Sequence, residues 1–211
     1  IVQISSLLEG VTIRNGVAAG GGGGVKVSDA GALLRDVVIE NCTAQTGGGV
    51  HALNGATLRM ERCIVRGNTA SSAGGGVAVE TSGTTAALIN TTLVDNHVGD
   101  GDGGGAVVRV RAVLTVEGGE IVGNSAGLSG PADNNVARGG GIALSRGTVA
   151  LRRTALRFNV AYMGGGAVGQ EAGRLSIEES ELEANTAPYG GALFLYHSSA
   201  AVSAGYSAPT A

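Results

Sequence analysis

The 211-residue sequence predicts an all-β fold, a parallel β-helix of about seven coils with three short strands in each, and three observations predict it. An asparagine recurs at Asn15, Asn41, Asn68, Asn96, Asn124, Asn159 and Asn185, at intervals of 26, 27, 28, 28, 35 and 26 residues. A glycine run and an apolar residue trail each of them: Gly-Gly-Gly-Val at 22–25, 47–50 and 74–77, Gly-Gly-Gly-Ala at 103–106 and 164–167, Gly-Gly-Gly-Ile at 139–142 and Gly-Gly-Ala at 190–192. Between these markers apolar and polar residues alternate, the period of a strand and not of a helix. A fixed period of about 20 to 50 residues marks a solenoid, whose unit buries its apolar side only by stacking on its neighbours.

Each unit reads as follows. Eight residues before the asparagine stand Leu33, Met60, Leu88, Val116, Leu151 and Ile177, and ten before it, from the third coil on, Leu58, Ala86, Leu114, Val149 and Leu175. That spacing of two is one strand. Three before the asparagine stand Val38, Val65, Leu93, Ile121, Leu156 and Leu182, a second buried position. The strand after the glycines repeats the alternation in Val25 and Val27, Val50 and Ala52, Val77 and Val79, Ala106 and Val108, Ile142 and Leu144. Glycine and asparagine suit the corners, because both tolerate positive φ better than other residues. Stacked at one corner, the asparagine amides are expected to bond to the copies above and below. A catalytic asparagine is needed once, so seven read as structure.

Composition agrees with a single solenoid over residues 1–197, with 198–211 a tail or the start of a further coil. The 39 glycines sit at regular offsets in a chain that is 43% hydrophobic and only 3% aromatic, so the core is expected to be aliphatic. A formal charge of −3 and scattered basic residues give no field for nucleic acid. No apolar stretch approaches membrane-spanning length. Cys42 and Cys63 fall at different offsets and are expected to remain unpaired thiols, too far apart for a disulfide. The chain starts at Ile1 in mid-coil and shows no polar cap, so it reads as a segment of a longer protein.

Gly-Gly-Ala-Val at 104–107 and 165–168, Gly-Gly-Ala-Leu at 190–193, and the apolar-x-x-Asn tetrapeptides Val38–Asn41, Val65–Asn68, Leu93–Asn96 and Leu182–Asn185 together resemble the polymorphic outer-membrane protein repeat. That family carries GGA-[ILV] and FxxN tetrapeptides in right-handed β-helices exposed at the cell surface. The resemblance implies the handedness and an adhesive or structural role in an extracellular or cell-surface protein. The phenylalanine of FxxN is replaced by Val, Leu or Ile from the second coil on, and Phe158 sits beside its asparagine instead, which points to a generic β-helix of the same type.

Many right-handed β-helices also resemble pectate lyases and polygalacturonases, so the alternative is a non-catalytic stretch of a polysaccharide-processing enzyme. Such an enzyme needs acidic residues stacked on one outward face. The positions seven before the asparagine read Leu34, Glu61, Ile89, Glu117, Arg152 and Glu178, and six before read Arg35, Arg62, Asn90, Gly118, Arg153 and Glu179, with signs mixed at both offsets. No catalytic constellation emerges, and no cofactor is expected beyond one candidate cation.

Asp100 and Asp102 in Gly-Asp-Gly-Asp-Gly, and Asp133 with Asn134 and Asn135 in the next coil, occupy the same corner, where their oxygens suit calcium or, alternatively, a tight turn. On the strand after the glycines, Lys26 and His51 give way to Ala78, Val107, Ala143, Val168 and Leu193, read as an outward apolar lane. A protein partner, another part of the same protein or a neighbouring rod is expected to cover it. Small harmless side chains are the competing reading, and a glycan is a further possible ligand of the surface. Asn41-Cys42-Thr43 and Asn90-Thr91-Thr92 match the glycosylation acceptor pattern. Asn90 is expected to point outward and Asn41 to be inaccessible in the ladder.

Overall fold

A computed structural model describes residues 6–127, 137–197 and 204–205. They form an all-β, right-handed solenoid of about seven turns. Three parallel sheets of 13, 7 and 6 strands make its faces. No helix occurs among the described residues, and none is long and apolar enough to cross a membrane.

One coil shows how the chain closes. Gly31–Arg35 lies in the largest sheet, Val38–Glu40 in the second and Thr43–Thr46 in the third, after which Val50–Leu53 returns to the largest sheet. Two of the three strands expected from the sequence therefore share a sheet, and the third face comes from the short Asn-Thr-Ala segment. A four-residue turn separates the two strands of the shared sheet. In Leu53-Asn54-Gly55-Ala56 the Ala56 N–H donates to the Leu53 carbonyl at 3.2 Å, with φ of 57° and 76° at the centre, the mirror-image turn that Asn-Gly prefers. Two coils on, Arg109-Val110-Arg111-Ala112 closes the same way, with φ of 53° and 63° on residues that have no such preference. Beyond this point the two strands fuse into Ile142–Arg152 and Val168–Glu178, with shifts of register where the turn had been.

Inward positions stack file upon file. Leu34, Met60, Leu88, Val116 and Leu151 form one column, and Ile39, Val65, Leu93, Ile121 and Leu156 another, all of them buried. Each such side chain contributes about 1.5–3 kcal/mol on leaving water. The third face carries Ala44, Ala70, Val98, Ala126 and Ala161, where only small side chains fit.

Asn68, Asn96, Asn124, Asn159 and Asn185 form the expected ladder. Each Oδ1 from Asn96 onward accepts both the backbone N–H and the Nδ2–H of the asparagine one coil earlier, at 2.9–3.1 Å. Each Nδ2 also donates to a main-chain carbonyl, from Ile39 for Asn68 to Leu156 for Asn185, at 2.8–3.0 Å. Asn15 and Asn41 stand outside this file, contrary to expectation. Gly16 and Cys42 hold the column, with the Cys42 N–H donating to Asn68 Oδ1 at 2.9 Å. Asn15 and Asn41 occupy the preceding corner position, exposed, with φ of 57° and 53°, in line with Gly67, Asp95 and Gly123. The slip runs through the two strands that precede Asn41, so Leu34 and Ile39 are buried where Leu33 and Val38 were expected. A one-residue shift exchanges the two faces of a strand.

Both cysteines are free and buried. Cys63 belongs to a smaller ladder at the other corner, where its N–H donates to Thr91 Oγ1 at 3.3 Å and the Thr154 N–H donates to Ser180 Oγ at 3.1 Å. Burial pushes the Cys63 thiol up from its ordinary range, which keeps it protonated and unreactive.

Removing an internal rung leaves several buried polar groups without partners. Asn96→Ala is expected to lower the unfolding free energy by about 3 kcal/mol, whereas Asn41→Gly should fall within about 0.5 kcal/mol of the parent. Denaturant unfolding of the two variants checks this; equal losses would contradict the assigned register.

Candidate functional site

The strand after each glycine corner carries a lane of polar contacts that crosses several coils. Its floor is the outward file Lys26, His51, Ala78, Val107, Ala143, Gly169 and Phe194. On one side stand Gly21, Thr46, Ala73, Asp102 and Arg138, the residues that end the third face. On the other stand Glu80, Arg109, Ser145 and Glu171, from the outward end of the same strands.

His51 Nε2 lies 3.0 Å from Glu80 Oε2, and Glu80 Oε1 lies 3.8 Å from Arg109 Nη1. Arg109 Nη2 donates to Asp102 Oδ2 at 3.0 Å, while Asp102 Oδ1 accepts the Arg138 backbone N–H at 2.9 Å. Arg138 Nη1 continues to Glu171 Oε2 at 3.5 Å, and Ser145 Oγ reaches the same carboxylate. The chain of contacts spans the second coil to the sixth. At its far end the Arg138 guanidinium sits about 6 Å from the ring centres of Phe194 and Tyr196, two of the six aromatic residues, all of which lie at or beyond position 158.

Glu80 is held below the usual carboxylate range, first by the hydrogen bond from His51, then by the charges of His51 and Arg109, against the opposing pull of burial. General acid catalysis calls for the reverse, a carboxyl raised toward neutrality. With Asp102 tied at both oxygens, the arrangement neutralises charge over an apolar floor, and Glu80 is not the raised carboxyl that such a role needs. His51 Nδ1, without a hydrogen-bond partner, packs against the third face; a Cβ built on Gly21 would come within 2.0 Å of it.

Several sequence expectations change here. Ala78, Val107 and Ala143 are on the floor as expected, but they are buried, packed with Ala73 under their own chain. Val168 and Leu193 face the interior instead, in register with Ile142, and Gly169 and Phe194 hold the outward positions. The interval from the glycine run to the outward position is one residue longer in these coils, so reading straight down the alignment picked the wrong face. The lane is thus no open apolar stripe. Asp102 is committed to Arg109 and Arg138, Asp100 is exposed, and Asp133 lies outside the described residues. Among the described residues no group of three or more His, Cys, Asp or Glu is placed to hold a metal ion. Asn90 is exposed at a corner with φ of 48°, and Asn41, expected to be inaccessible, is exposed as well.

The other outward files carry alternating charge. Arg35 bonds to Glu9 at 3.2 Å and to Glu61 at 3.1 Å; Arg62 forms two bonds of 2.8 Å to Asp36; Arg66 meets Glu40. Farther along, Arg153 joins Glu117 and Glu179, and Arg157 joins Glu181 and Glu183. The Arg59 and Arg35 guanidiniums hold the Glu61 carboxyl below its ordinary range, and Arg62 does the same for Asp36. Leu34, read as outward in the sequence, is fully buried; Arg35 and Asp36 are the true second-coil members of these files.

The fold and its polar files define a three-sheet parallel solenoid with paired charges on its surface. Residues 4–149 match the family described as the right handed beta helix region, which is more than half of the chain, and the protein belongs to that family. No curated protein and no solved structure matches the chain.

Two measurements probe the lane. Gly21→Ala should displace His51 and lower stability by about 1–3 kcal/mol, whereas Gly20→Ala, whose Cβ meets nothing within 4 Å, should stay within about 0.5 kcal/mol. Thermal melts of both variants decide. For Glu80, a folded-state pKa below the unfolded one means stability that is complete above about pH 4.3 and is lost as pH falls through the folded value. Glu80→Gln should therefore be less stable than the parent near neutrality, with the gap closing below about pH 4. A gap that stays constant through acid denaturation would contradict this.

Proposed function

We propose that this chain is a non-catalytic structural segment of a larger extracellular or cell-surface protein, a rod that acts through contacts on its outer faces with protein or glycan. The observation that carries this reading is the fate of most carboxylates: Glu9, Glu61, Asp102, Glu117 and Glu179 among others are neutralised by an arginine within the solenoid, while Asp29, Asp95, Asp100 and Glu178 form no ion pair among the described residues. A lyase or hydrolase site keeps carboxylates unpaired, or raises one of them, beside a groove. Here the ion pairs tie coil to coil. Support for the surface location comes from the glycine and asparagine tetrapeptides, which resemble repeats of the polymorphic outer-membrane protein type.

Incubation with neutral and uronic polysaccharides should release no new reducing or unsaturated ends. Release that Asp102→Asn or Glu80→Gln abolishes would overturn the non-catalytic reading. For location, antibody labelling of intact source cells should detect the segment without permeabilisation.

A further inference from the structure

The basic residues divide unevenly. Of the fourteen Lys and Arg, nine enter ion pairs, which leaves five without one among the described residues: Arg14, Lys26, Arg111, Arg146 and Arg174. Three of these five lie together. The Arg111 N–H donates to the Arg146 carbonyl at 2.6 Å, which sets them in adjacent coils; Arg174 follows Gly173, which pairs with Gly147 next to Arg146. All three are exposed. Arg174 is in register with Thr148, two residues beyond Arg146, so with coils spaced about 4.8 Å apart the three make a staggered cluster across adjacent coils.

The turn that presents Arg111 is not the one folding favours. Asn54-Gly55 makes the equivalent turn at low strain, whereas Val110-Arg111 places two residues with a Cβ, one of them β-branched, at positive φ. Val110 is 51% exposed, so its packing does not explain the choice. Exposed guanidiniums side by side repel one another, and elsewhere on this rod such repulsion is relieved by a glutamate or aspartate one coil away.

We propose that Arg111, Arg146 and Arg174 form a binding site for a sulfated linear polysaccharide that crosses these adjacent coils. The proposal names the partner class for the outer-face contacts of the rod reading and rests on that reading. Guanidinium groups fork onto oxyanions. Exposed ion pairs are individually weak, so the ligand must bring permanent charge at high linear density, with counterion release driving the association. The cluster holds three cations and the chain is acidic overall, which does not suit the broad surface of a duplex nucleic acid or a membrane. Thr148, half-buried, offers a hydroxyl beside the cluster for sugar oxygens, while the Ser145 and Ser176 hydroxyls donate to Glu171 and Glu178. An acidic peptide would seek a free strand edge, yet these strands are paired on both sides.

Binding to dextran sulfate, unmodified dextran, polygalacturonate and poly-glutamate, measured against salt concentration, tests the site. The parent chain should bind dextran sulfate and ignore dextran. The triple variant Arg111→Gln, Arg146→Gln, Arg174→Gln should lose at least about tenfold in affinity, with the slope of log affinity against log salt falling by about three. The double variant Arg14→Gln, Lys26→Gln should retain binding, and all three proteins should melt alike. Equal loss in the double variant, equal binding of dextran, or tighter binding of polygalacturonate or poly-glutamate would each overturn the proposal. None of these results touches the non-catalytic rod reading, which fails only on the release of sugar products.

Discussion

The structure depends on one constraint, that a residue and its counterpart one coil later occupy the same place in cross-section. The asparagine file enforces it. Each amide bonds to the next amide and to a carbonyl of the preceding coil in a dry interior, where an unmade hydrogen bond is expensive. A coil that slipped by one residue would break both bonds and turn its aliphatic side chains outward at once. The interval between Asn124 and Asn159 is 35 residues, yet the two amides still meet at 3.0 Å, so coil length is free to vary while the corner is not.

The same constraint orders the outside. Once letters become columns, a charge on one coil faces a charge on the next, and like neighbours repel. The rod answers with alternation, Glu9–Arg35–Glu61 on one sheet and Glu117–Arg153–Glu179 at a corner. Such exposed pairs are individually weak. Their effect is to remove a penalty that stacking would otherwise impose at every coil. The lane from His51 to Glu171 differs in being partly covered, so its groups must satisfy one another more completely, and the chain of bonds through Glu80, Arg109 and Asp102 follows.

Much of this was legible in the sequence because a repeat displays its own alignment. The parallel solenoid, the glycine corners, the five internal asparagines and the aliphatic files from the third coil on follow from spacing alone. The second coil was misread for a physical reason: Leu33-Leu34 and Val37-Val38-Ile39 are continuous apolar runs, in which a period of two has no visible phase. The asparagine at 41 then fixed the wrong phase, since asparagine suits both the ladder and the positive-φ corner beside it. Val168 and Leu193 were misplaced by the same kind of one-residue ambiguity, this time after the glycine run. Glu80, Arg109, Arg138 and Glu171 went unnoticed as a set because they come from different offsets in different coils. Only the bulges in the fused strands bring Glu171 beside Arg138.

This geometry also explains why chemistry is hard to place on such a lane. Catalysis needs one group held in an unfavourable protonation state, and stacking works against that wherever a carboxylate has a cation one coil away, as Glu61, Glu117 and Glu179 do. The pull of His51 and Arg109 on Glu80 is the local instance. A β-helix that acquired a catalytic site would have to break the alternation, leaving like charges on adjacent coils and accepting their repulsion. Among the described residues a basic cluster breaks it, at Arg111, Arg146 and Arg174, and arginine does not titrate near neutral pH. What a cluster of fixed positive charge can do is hold an anion, which is recognition and not proton transfer.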